Sequence, residues 1–307
     1  MEKKYHGVIP PIVTPVDENE NVDEKGFREL IEYCIKGGLH GFLVAGTNGE
    51  TMQLTQKERN HAIQIMLDQV NGRVPVIAGV MDTSTRRVIE NIKALEDMGG
   101  TCAAVTPIFY DRHTSQDETV RHFEKILNET NVDLFIYNIP PFTGIKLTPA
   151  TVIKIAGLDK KRIVGYKDSA AAYTDFLKVV AEFKDTPFSV LSGATPQALS
   201  GILMGADGFV PALGPAFPEL FVDAYEAAKS KDVDKTIAYD ELVRESGKIL
   251  GMTKNATAAA KYAISLRGQI NKAVLWPQDT IQPEEEEKIK AQLKKVDEMY
   301  KERKAAE

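Results

Sequence analysis

Lys167 is the residue in this sequence whose position most clearly suggests chemistry, because it ends a short apolar run and is followed by Asp168 and Ser169. Most lysines lie on protein surfaces, but one at the end of a buried strand would direct its amine into a barrel mouth or a cleft. Burial there would disfavour the charged amine, and only the neutral amine attacks a carbonyl carbon. Lys167 is therefore a candidate imine-forming nucleophile. The alternative is a lysine that extends to solvent or pairs with Asp168.

Two further polar groups follow other apolar runs. Residues 46–50 place two glycines around Thr47 and Asn48, so that backbone N–H groups can converge on an anion while the two side chains face the same point. Tyr137 ends a run and precedes a proline-rich loop, where a phenol can relay a proton. Taken singly, residues 46–50 also fit an ordinary turn, and Tyr137 also fits a core tyrosine bonded to the backbone.

Short apolar runs of strand length recur along the chain, and each precedes a stretch with helical periodicity. The eight runs cover residues 7–14, 41–45, 74–79, 102–106, 134–137, 163–167, 188–192 and 208–210. This alternation indicates parallel strands joined by crossover helices. Eight repeats, with no GxGxxG motif after the first run, favour a closed (β/α)8 TIM barrel over an open doubly wound sheet. The three polar groups would then meet at the carboxyl face of the barrel.

Helix boundaries are also visible in the sequence. The first predicted helix begins after Asp23, and the second begins at Thr55, whose spacing to Glu58 predicts a capping box, and ends at Gly72.

Beyond about residue 230 the pattern is helical only, from residue 231 to 267 and again from 283 to 304. We therefore expect a catalytic barrel over residues 1–228 and a C-terminal helical extension over residues 229–307. In the last helix Pro283 comes first, glutamates follow, and lysines and arginines come later, a polarity that suits the helix dipole. Trp276, between the two helical stretches, is expected to be a packing anchor.

The composition narrows the class of protein. The chain has 307 residues, 43% of them apolar, and a formal net charge of −6, which suits one large domain with or without a small appendage. Mild acidity argues against nucleic acid or an anionic membrane as the main partner. No apolar run is long enough to span a membrane and the amino end lacks a signal-peptide core, so we expect a cytoplasmic protein.

The cysteines and histidines argue against metal chemistry. Cys34 and Cys102 both lie in apolar patterns, which predicts buried free thiols. The five histidines show no HExxH spacing and the cysteines no CxxC spacing, so we expect neither a metal nor a cofactor.

Three motifs together resemble a known family. Residues 46–50 (GTNGE) are similar to its GTTGE or GSTGE loop, residues 137–144 (YNIPPFTG) to its YN(I/V)PxxTG motif, and residues 165–169 (GYKDS) to its GxKDS motif. They occur in the family's order, within a correspondence that spans about residues 6–225. The sequence thus resembles the N-acetylneuraminate lyase and dihydrodipicolinate synthase superfamily, because three spaced motifs are far more specific than one.

The resemblance implies a (β/α)8 barrel with a helical extension, commonly a homotetramer. It also implies a class I mechanism, without metal or cofactor, through a lysine imine of pyruvate or another 2-oxo acid. By position Lys167 would form the imine, Tyr137 would be the acid–base phenol, and Thr47 would relay protons to it. A protonated imine withdraws electrons from the neighbouring carbon, so a bond two positions away breaks or forms through an enamine.

The same resemblance implies a binding site for the 2-oxo acid. Backbone N–H groups of Thr47 and Asn48, beside Gly46, would hold its carboxylate. Gly193 and the carbonyl of Val210 would face the same pocket.

Two positions depart from the family pattern. Dihydrodipicolinate synthases carry an arginine two residues after the motif's proline to bind a second carboxylate, and here that position is Phe142, whose ring cannot replace a charge-assisted bond. Aspartate semialdehyde is therefore the poorer candidate substrate. The relay tyrosine that the family places at a subunit contact corresponds to Phe109, so either Tyr110 takes its place in the site or the relay lacks that member.

We therefore expect a lyase that cleaves, or in reverse forms, a C–C bond next to a pyruvate-derived enamine. The leading substrate type is a 2-keto-3-deoxy sugar acid or a sialic-acid-like 2-oxo acid. One alternative keeps the imine and is a dihydrodipicolinate synthase-type condensation or a 2-oxo acid dehydratase. Another is a barrel that binds 2-oxo acids without turnover, against which the intact Thr47, Tyr137 and Lys167 argue. A phosphate-binding isomerase barrel would need an anion-binding loop after the last two strands, and no obvious one is present.

Overall fold

Eight parallel strands form the centre of the protein, whose computed structural model describes residues 3–307. In chain order they are β1 (Gly7–Val8), β2 (Phe42–Val44), β3 (Val76–Gly79), β4 (Cys102–Val105), β5 (Asp133–Asn138), β6 (Ile163–Asp168), β7 (Ser189–Ser192) and β8 (Gly208–Phe209). The order across the sheet is β1-β8-β7-β6-β5-β4-β3-β2, so strands adjacent in sequence are also adjacent in space.

The two ends of this order meet, which closes the sheet. The N–H of His40 donates to the carbonyl of Val8 at 3.0 Å, and the N–H of Leu43 donates to the carbonyl of Pro10 at 3.0 Å. The N–H of Ile12 in turn donates to the carbonyl of Leu43, also at 3.0 Å. These bonds join β1 to β2, and the predicted (β/α)8 barrel is confirmed.

At least one helix follows each strand on the outside of the barrel. The helices are α1 (Glu24–Lys36), α2 (Gln56–Val70), α3 (Thr85–Asp97), α4 (Gln116–Glu129), the pair α5 (Pro140–Thr143) and α6 (Pro149–Ala156), α7 (Tyr173–Phe183), α8 (Ala198–Leu203) and α9 (Pro218–Lys229). Their buried faces pack with the outward faces of the strands in one large apolar cluster that includes Phe27, Phe123 and Phe176.

The first strand is shorter than the sequence predicts. The apolar run covers residues 7–14, but β1 ends at Val8. Pro10 and Pro11 lack the N–H that a strand ladder requires, so the segment continues through single bonds to its neighbours without forming a regular ladder.

The predicted capping box of α2 is only half formed. The Thr55 side chain accepts a bond from the N–H of Glu58 at 3.2 Å, as expected for an N-cap. The carboxylate of Glu58 does not return to Thr55, because it accepts a bond from the N–H of Val22 at 2.8 Å. Glu58 therefore links α2 to the loop before α1. The prediction of a reciprocal bond from the N–H of Thr55 to the Glu58 carboxylate is wrong.

Inside the barrel, a second apolar cluster fills the space below the carboxyl ends of the strands. Its members come from β2, β3, β4, β5 and β7 and from residues next to β1 and β8, and they include Tyr5, Ile9, Leu43, Ile77, Cys102, Phe135, Leu191 and Val210. Gly165 makes room for Phe135, since a Cβ at this position would lie 2.2 Å from its ring. Cys102 in this cluster and Cys34 in the outer one are both free and buried, as predicted.

Three further helices follow the barrel: α10 (Val233–Gly247), α11 (Ala256–Ser265) and α12 (Pro283–Ala305). Arg267, just after α11, links α12 to the barrel. Its guanidinium donates to both carboxylate oxygens of Asp297 at 2.9 and 2.8 Å and to the carbonyl of Ala216 at 2.7 Å. The expected domain boundary after residue 228 stays a prediction.

The predicted charge polarity of α12 is confirmed, with glutamates in its first turn and Arg303 and Lys304 in its last. Trp276 is 78% exposed, so its predicted role as a packing anchor is wrong. Its neighbour Leu275 is buried instead, against Val16 and Leu54. Among residues 3–307, no helix combines the length and the apolar character needed to cross a membrane.

The fold should tolerate an added methyl group at Gly165 much less well than at Gly247. Gly165→Ala would force a contact with Phe135 and should lower the free energy of unfolding by about 1–3 kcal/mol. Gly247→Ala is the matched control, because a Cβ there would meet no atom within 4 Å and the φ of −60° suits alanine. Urea unfolding followed by circular dichroism measures both. Equal midpoints for the two variants would contradict this explanation.

Candidate active site

The pairing of β5 with β6 sets Tyr137 beside Lys167 in the ladder. Partners in register on neighbouring parallel strands direct their side chains to the same face, here the inside of the barrel. Tyr137 is 2% exposed and Lys167 is 4% exposed. The Nζ atom of Lys167 lies 3.9 Å from the centroid of the Tyr137 ring. The two side chains that sequence reasoning put in one site are thus in direct contact.

Lys167 does not pair with Asp168, which rules out that alternative. Successive residues of a strand face opposite sides, and Asp168 points out of the barrel. Its Oδ1 accepts bonds from Nδ2 of Asn138 at 2.8 Å, from the hydroxyl of Tyr166 at 3.0 Å and from the N–H of Ala170 at 3.2 Å. Within residues 3–307, no ion pair joins Lys167 to a carboxylate. The amine is therefore buried without a counter-charge.

The network around Asp168 also fixes the strand ends on either side of Lys167. The N–H of Ser169 donates to the carbonyl of Asn138 at 2.8 Å, and the N–H of Gly193 donates to the carbonyl of Asp168 at 2.7 Å. Burial raises the pKa of Asp168, while the three bonds to its carboxylate oppose that shift. These contacts hold the backbone of Lys167 between its two neighbouring strands.

Gly193 allows the close approach that the amine requires. A Cβ at this position would lie 2.1 Å from Oγ of Ser169 and 3.0 Å from Cε of Lys167. A larger residue would therefore collide with the Ser169 side chain and press against that of Lys167. Gly193 acts here by its small size.

The loop of residues 46–50 has two left-handed residues near its ends, Ala45 with a φ of 51° and Glu50 with a φ of 54°. The turn is closed by the N–H of Gly49, which donates to the carbonyl of Gly46 at 3.1 Å. In the described part of the chain, the N–H groups of Thr47 and Asn48 have no acceptor. Nδ2 of Asn48 is also buried without a hydrogen-bond partner. Such a set of free donors suits a carboxylate.

Two adjoining cavities open at the carboxyl ends of the strands. The inner cavity, of about 720 Å³, is lined by residues that include Thr47, Asn48, Tyr137, Lys167, Gly193 and Val210. The outer cavity, of about 700 Å³, is lined by side chains that include Thr47, Met52, Thr51, Thr106, Phe109 and Lys254. Phe142 and Ile139 contribute to both. Cavities of this size hold small ligands, and the inner one collects six of the predicted site residues.

The structure does not bring Tyr110 into either cavity of the chain. Tyr110 is 93% exposed, and its φ of 72° turns the backbone away from the strand ends. Phe109 lines the outer cavity instead and packs against the cluster of Met81, Tyr137 and Ile139. Gly46 does not line a cavity either. It is buried at the start of the loop, where a Cβ would lie 2.3 Å from Cδ2 of Leu43.

Several lining residues were missed from the sequence. Oγ1 of Thr51 and Oγ1 of Thr106 are buried without partners on the outer cavity. Thr106 ends a predicted strand run, so the rule for strand ends could have found it. Thr257, at the start of α11, lines both cavities, and no local pattern in the sequence connects it with the barrel.

The arrangement can perform carbonyl chemistry. A buried amine faces an aromatic phenol, and a loop with free N–H donors lies on the same cavity wall. A 2-oxo acid could place its carboxylate on the loop while the amine attacks its carbonyl carbon. Among residues 3–307, no group of three His, Cys, Asp or Glu side chains is arranged to hold a metal ion.

Comparisons with known sequences agree with the motifs. A family model described as "Dihydrodipicolinate synthetase family" matches residues 4–296. The 4-hydroxy-tetrahydrodipicolinate synthase of Methanopyrus kandleri is 33% identical over 302 residues, which cover 96% of this chain and 98% of the relative. The protein of the same name from Chelativorans sp. is 32% identical over 290 residues, or 94% and 98% of the two chains.

Comparisons with solved structures agree with the fold. Dihydrodipicolinate synthase from Bacteroides thetaiotaomicron superposes with a TM-score of 0.90 at 32% identity, covering 96% of this chain and 100% of that one. YagE, a prophage protein of the dihydrodipicolinic acid synthase family from E. coli K12, was solved in complex with pyruvate. It has a TM-score of 0.90 at 27% identity, over 95% and 99% of the two chains. The predicted family resemblance is confirmed.

Substitution of the unpaired Lys167 should change the stability of the protein differently from substitution of a buried lysine that forms an ion pair. Lys167→Met removes a buried amine that has no counter-charge, so the free energy of unfolding should stay unchanged or rise by about 1 kcal/mol. Lys261→Met is the matched control, because Lys261 is also buried and forms an ion pair with Glu50. This variant leaves a carboxylate buried and unpaired, which should cost about 3–5 kcal/mol.

Urea unfolding of both variants tests this contrast. A loss of stability in Lys167→Met as large as that in Lys261→Met would mean that the fold depends on the Lys167 amine, and that its burial is structural.

Proposed function

Because the chain belongs to the dihydrodipicolinate synthetase family, whose members are class I aldolase-type enzymes, we propose that Lys167 forms a Schiff base with pyruvate and that the enamine is joined to an aldehyde. The observation that carries the proposal is the buried, unpaired amine of Lys167 in contact with Tyr137. Pure binding of an anion needs neither a buried amine nor a phenol in contact with it.

The reaction begins with binding of pyruvate. Its carboxylate accepts bonds from the N–H groups of Thr47 and Asn48, which places C2 near Nζ of Lys167. The neutral amine attacks C2, and the hydroxyl of the carbinolamine leaves as water with a proton supplied through Tyr137. The product is a protonated imine that carries the positive charge.

Carbon–carbon bond formation follows from that charge. Loss of a proton from C3 gives an enamine, whose C3 attacks the aldehyde carbon and re-forms the protonated imine. The aldehyde oxygen takes a proton from the Tyr137 phenol, with Thr47 as the relay. Water then adds to the imine and releases the 2-oxo product from Lys167. The same steps in reverse cleave a 4-hydroxy-2-oxo acid into pyruvate and an aldehyde.

The names of the relatives favour a synthase. Both curated sequence relatives described above are 4-hydroxy-tetrahydrodipicolinate synthases. Condensation of the dihydrodipicolinate synthase type is therefore a better interpretation than the sugar-acid or sialic-acid lyase that the motifs first favoured. Aspartate semialdehyde is the aldehyde of that reaction.

One observation favours the sugar-acid reaction as a second candidate. Phe142, at the position of the synthases' carboxylate-binding arginine, is 67% exposed on the walls of both cavities.

Of the cations on these walls, Arg244 pairs with Asp240 and Lys248 pairs with Glu245. Lys254, on the outer cavity, makes no ion pair within residues 3–307 and is the candidate partner for a second carboxylate.

Assembly and location stay predictions. We propose a homotetramer in the cytoplasm, on the strength of the family resemblance. Tyr110, exposed at the tip of its loop, would then act at a contact between subunits, and Phe109 would leave the relay without a hydroxyl at its own position.

Covalent trapping tests the proposed chemistry. Incubation with pyruvate and borohydride should reduce the imine and leave a stable adduct on the peptide that contains Lys167. Lys167→Arg should give no adduct, because a guanidinium cannot form the imine. Tyr137→Phe should still be trapped at saturating pyruvate, while turnover falls about 10²–10⁴-fold with loss of the acid–base group. A folded wild-type protein that gives no adduct would remove the proposal.

Substrate assays separate the two candidate reactions. Wild-type protein should condense pyruvate with aspartate semialdehyde more efficiently than it releases pyruvate from 2-keto-3-deoxy sugar acids. If Lys254 supplies the carboxylate contact, Lys254→Gln should raise KM for the semialdehyde roughly tenfold, and Phe142→Arg should restore it. The sugar-acid reaction gains instead if pyruvate release is the faster activity and Phe142→Arg weakens it.

A further inference from the structure

Glu50 and Lys261 form an ion pair whose two side chains are both 0% exposed. Each partner makes one more bond: Oε1 of Glu50 accepts from the N–H of Leu275 at 2.8 Å, and Nζ of Lys261 donates to the carbonyl of Ala273 at 2.8 Å. Burial lowers the pKa of Lys261, and the charge of Glu50 opposes that shift. The pair therefore connects the loop after β2, helix α11 and the segment before α12.

The two elements that this pair joins both contribute to the lining of the inner cavity. The loop after β2 supplies Thr47 and Asn48, and the start of α11 supplies Ala256 and Thr257. The contact between Glu50 and Lys261 lies behind both, away from the cavity lining. It fixes their separation without touching a ligand there.

The loop also needs an external constraint. Glu50 and Ala45 hold left-handed conformations that cost about 1 kcal/mol or more for residues other than glycine, and such conformations persist only where surrounding contacts enforce them. Oγ1 of Thr14 donates to the carbonyl of Gly49 at 2.8 Å, which restrains one point of the loop. The ion pair restrains the next residue through its side chain.

Stability alone does not account for a buried ion pair at this place. Removing two charges from water is costly, and apolar replacements of similar volume are often as stable or more so. The pair instead fixes the orientation of the Glu50 side chain, because a carboxylate that binds one amine and one N–H has a single orientation.

We propose that Glu50 and Lys261 are positioning residues that set the pyruvate-carboxylate site from outside the barrel. The pair holds residues 46–50 so that the N–H groups of Thr47 and Asn48 converge on the carboxylate. Pyruvate affinity thus depends on a residue of the C-terminal helices that never contacts the ligand. This inference rests on the proposed function.

The double variant Glu50→Gln/Lys261→Met tests the inference. It removes both charges together, keeps an oxygen to accept from Leu275, and leaves no buried charge alone, so it should fold. The readout is the pyruvate concentration that gives half-maximal borohydride trapping on Lys167. This concentration should rise about tenfold or more, because small misplacements of binding groups have large effects, while trapping at saturating pyruvate is retained. In steady-state assays KM for pyruvate should rise more than kcat falls.

The control is the ion pair of Lys3 with Asp207, which is 2.9 Å long and also largely buried, but lies at the amino-terminal end of the strands. Lys3→Met/Asp207→Asn removes the same charges and should leave the half-saturating pyruvate concentration unchanged. If the half-saturating pyruvate concentration rises equally in both double variants, the effect reflects a general loss of stability and the inference is overturned.

The remaining outcomes are also decisive. A folded Glu50→Gln/Lys261→Met with wild-type half-saturation overturns the positioning role and leaves the imine chemistry intact. If that variant does not fold, Glu50→Gln/Lys261→Gln is judged by the same criterion, since it also removes both charges and leaves two amides that can bond to each other. Absence of trapping in the wild-type protein defeats the proposed function itself, so the two failures are distinguishable.

Discussion

An amine buried without a counter-charge is the constraint on which the rest of the site depends. Desolvation of Lys167 is not compensated by a carboxylate, so the energy must come from the packing around it. The ring of Tyr137 covers the amine on one side, and the absence of a side chain at Gly193 leaves room on another. A carboxylate turned inward at this point, such as Asp168, would form an ion pair with the amine and occupy the space in front of it. The strand alternation that turns Asp168 outward is therefore as important as the residues that touch Lys167.

The site is divided between rigid and variable elements. Lys167 and Tyr137 lie on neighbouring strands, where register fixes their geometry, and the bonds around Asp168 hold those strand ends together. The outer cavity is built from loops and from the C-terminal helices, with Phe142 on a four-residue helix at its edge. In the proposed reaction, imine formation therefore relies on the strands, whereas selection among aldehydes falls to residues that can change without disturbing them.

The sequence predicted the features that local patterns determine. Strand runs and helix caps depend on neighbouring residues, and the barrel follows from their alternation. Where a prediction was wrong, a distant partner decided the outcome: the carboxylate of Glu58 bonds to Val22 and leaves the capping box incomplete, and Trp276 stays exposed while Leu275 takes the buried position. The pairing of Glu50 with Lys261 could not be predicted, because the two residues lie far apart in the sequence and neither stands in a pattern that points to the other.

The pairing of the first strand with the last has a consequence for synthesis of the chain. Gly7–Val8 pairs with Gly208–Phe209, strands from the two ends of the barrel sequence. Until the later strand has left the ribosome, the first one has an open edge on that side, and Pro10 and Pro11 beside it cannot donate to a wrong neighbour. The residues that interrupt the regular ladder thus also leave the nascent chain with fewer N–H donors for premature strand pairing while translation continues.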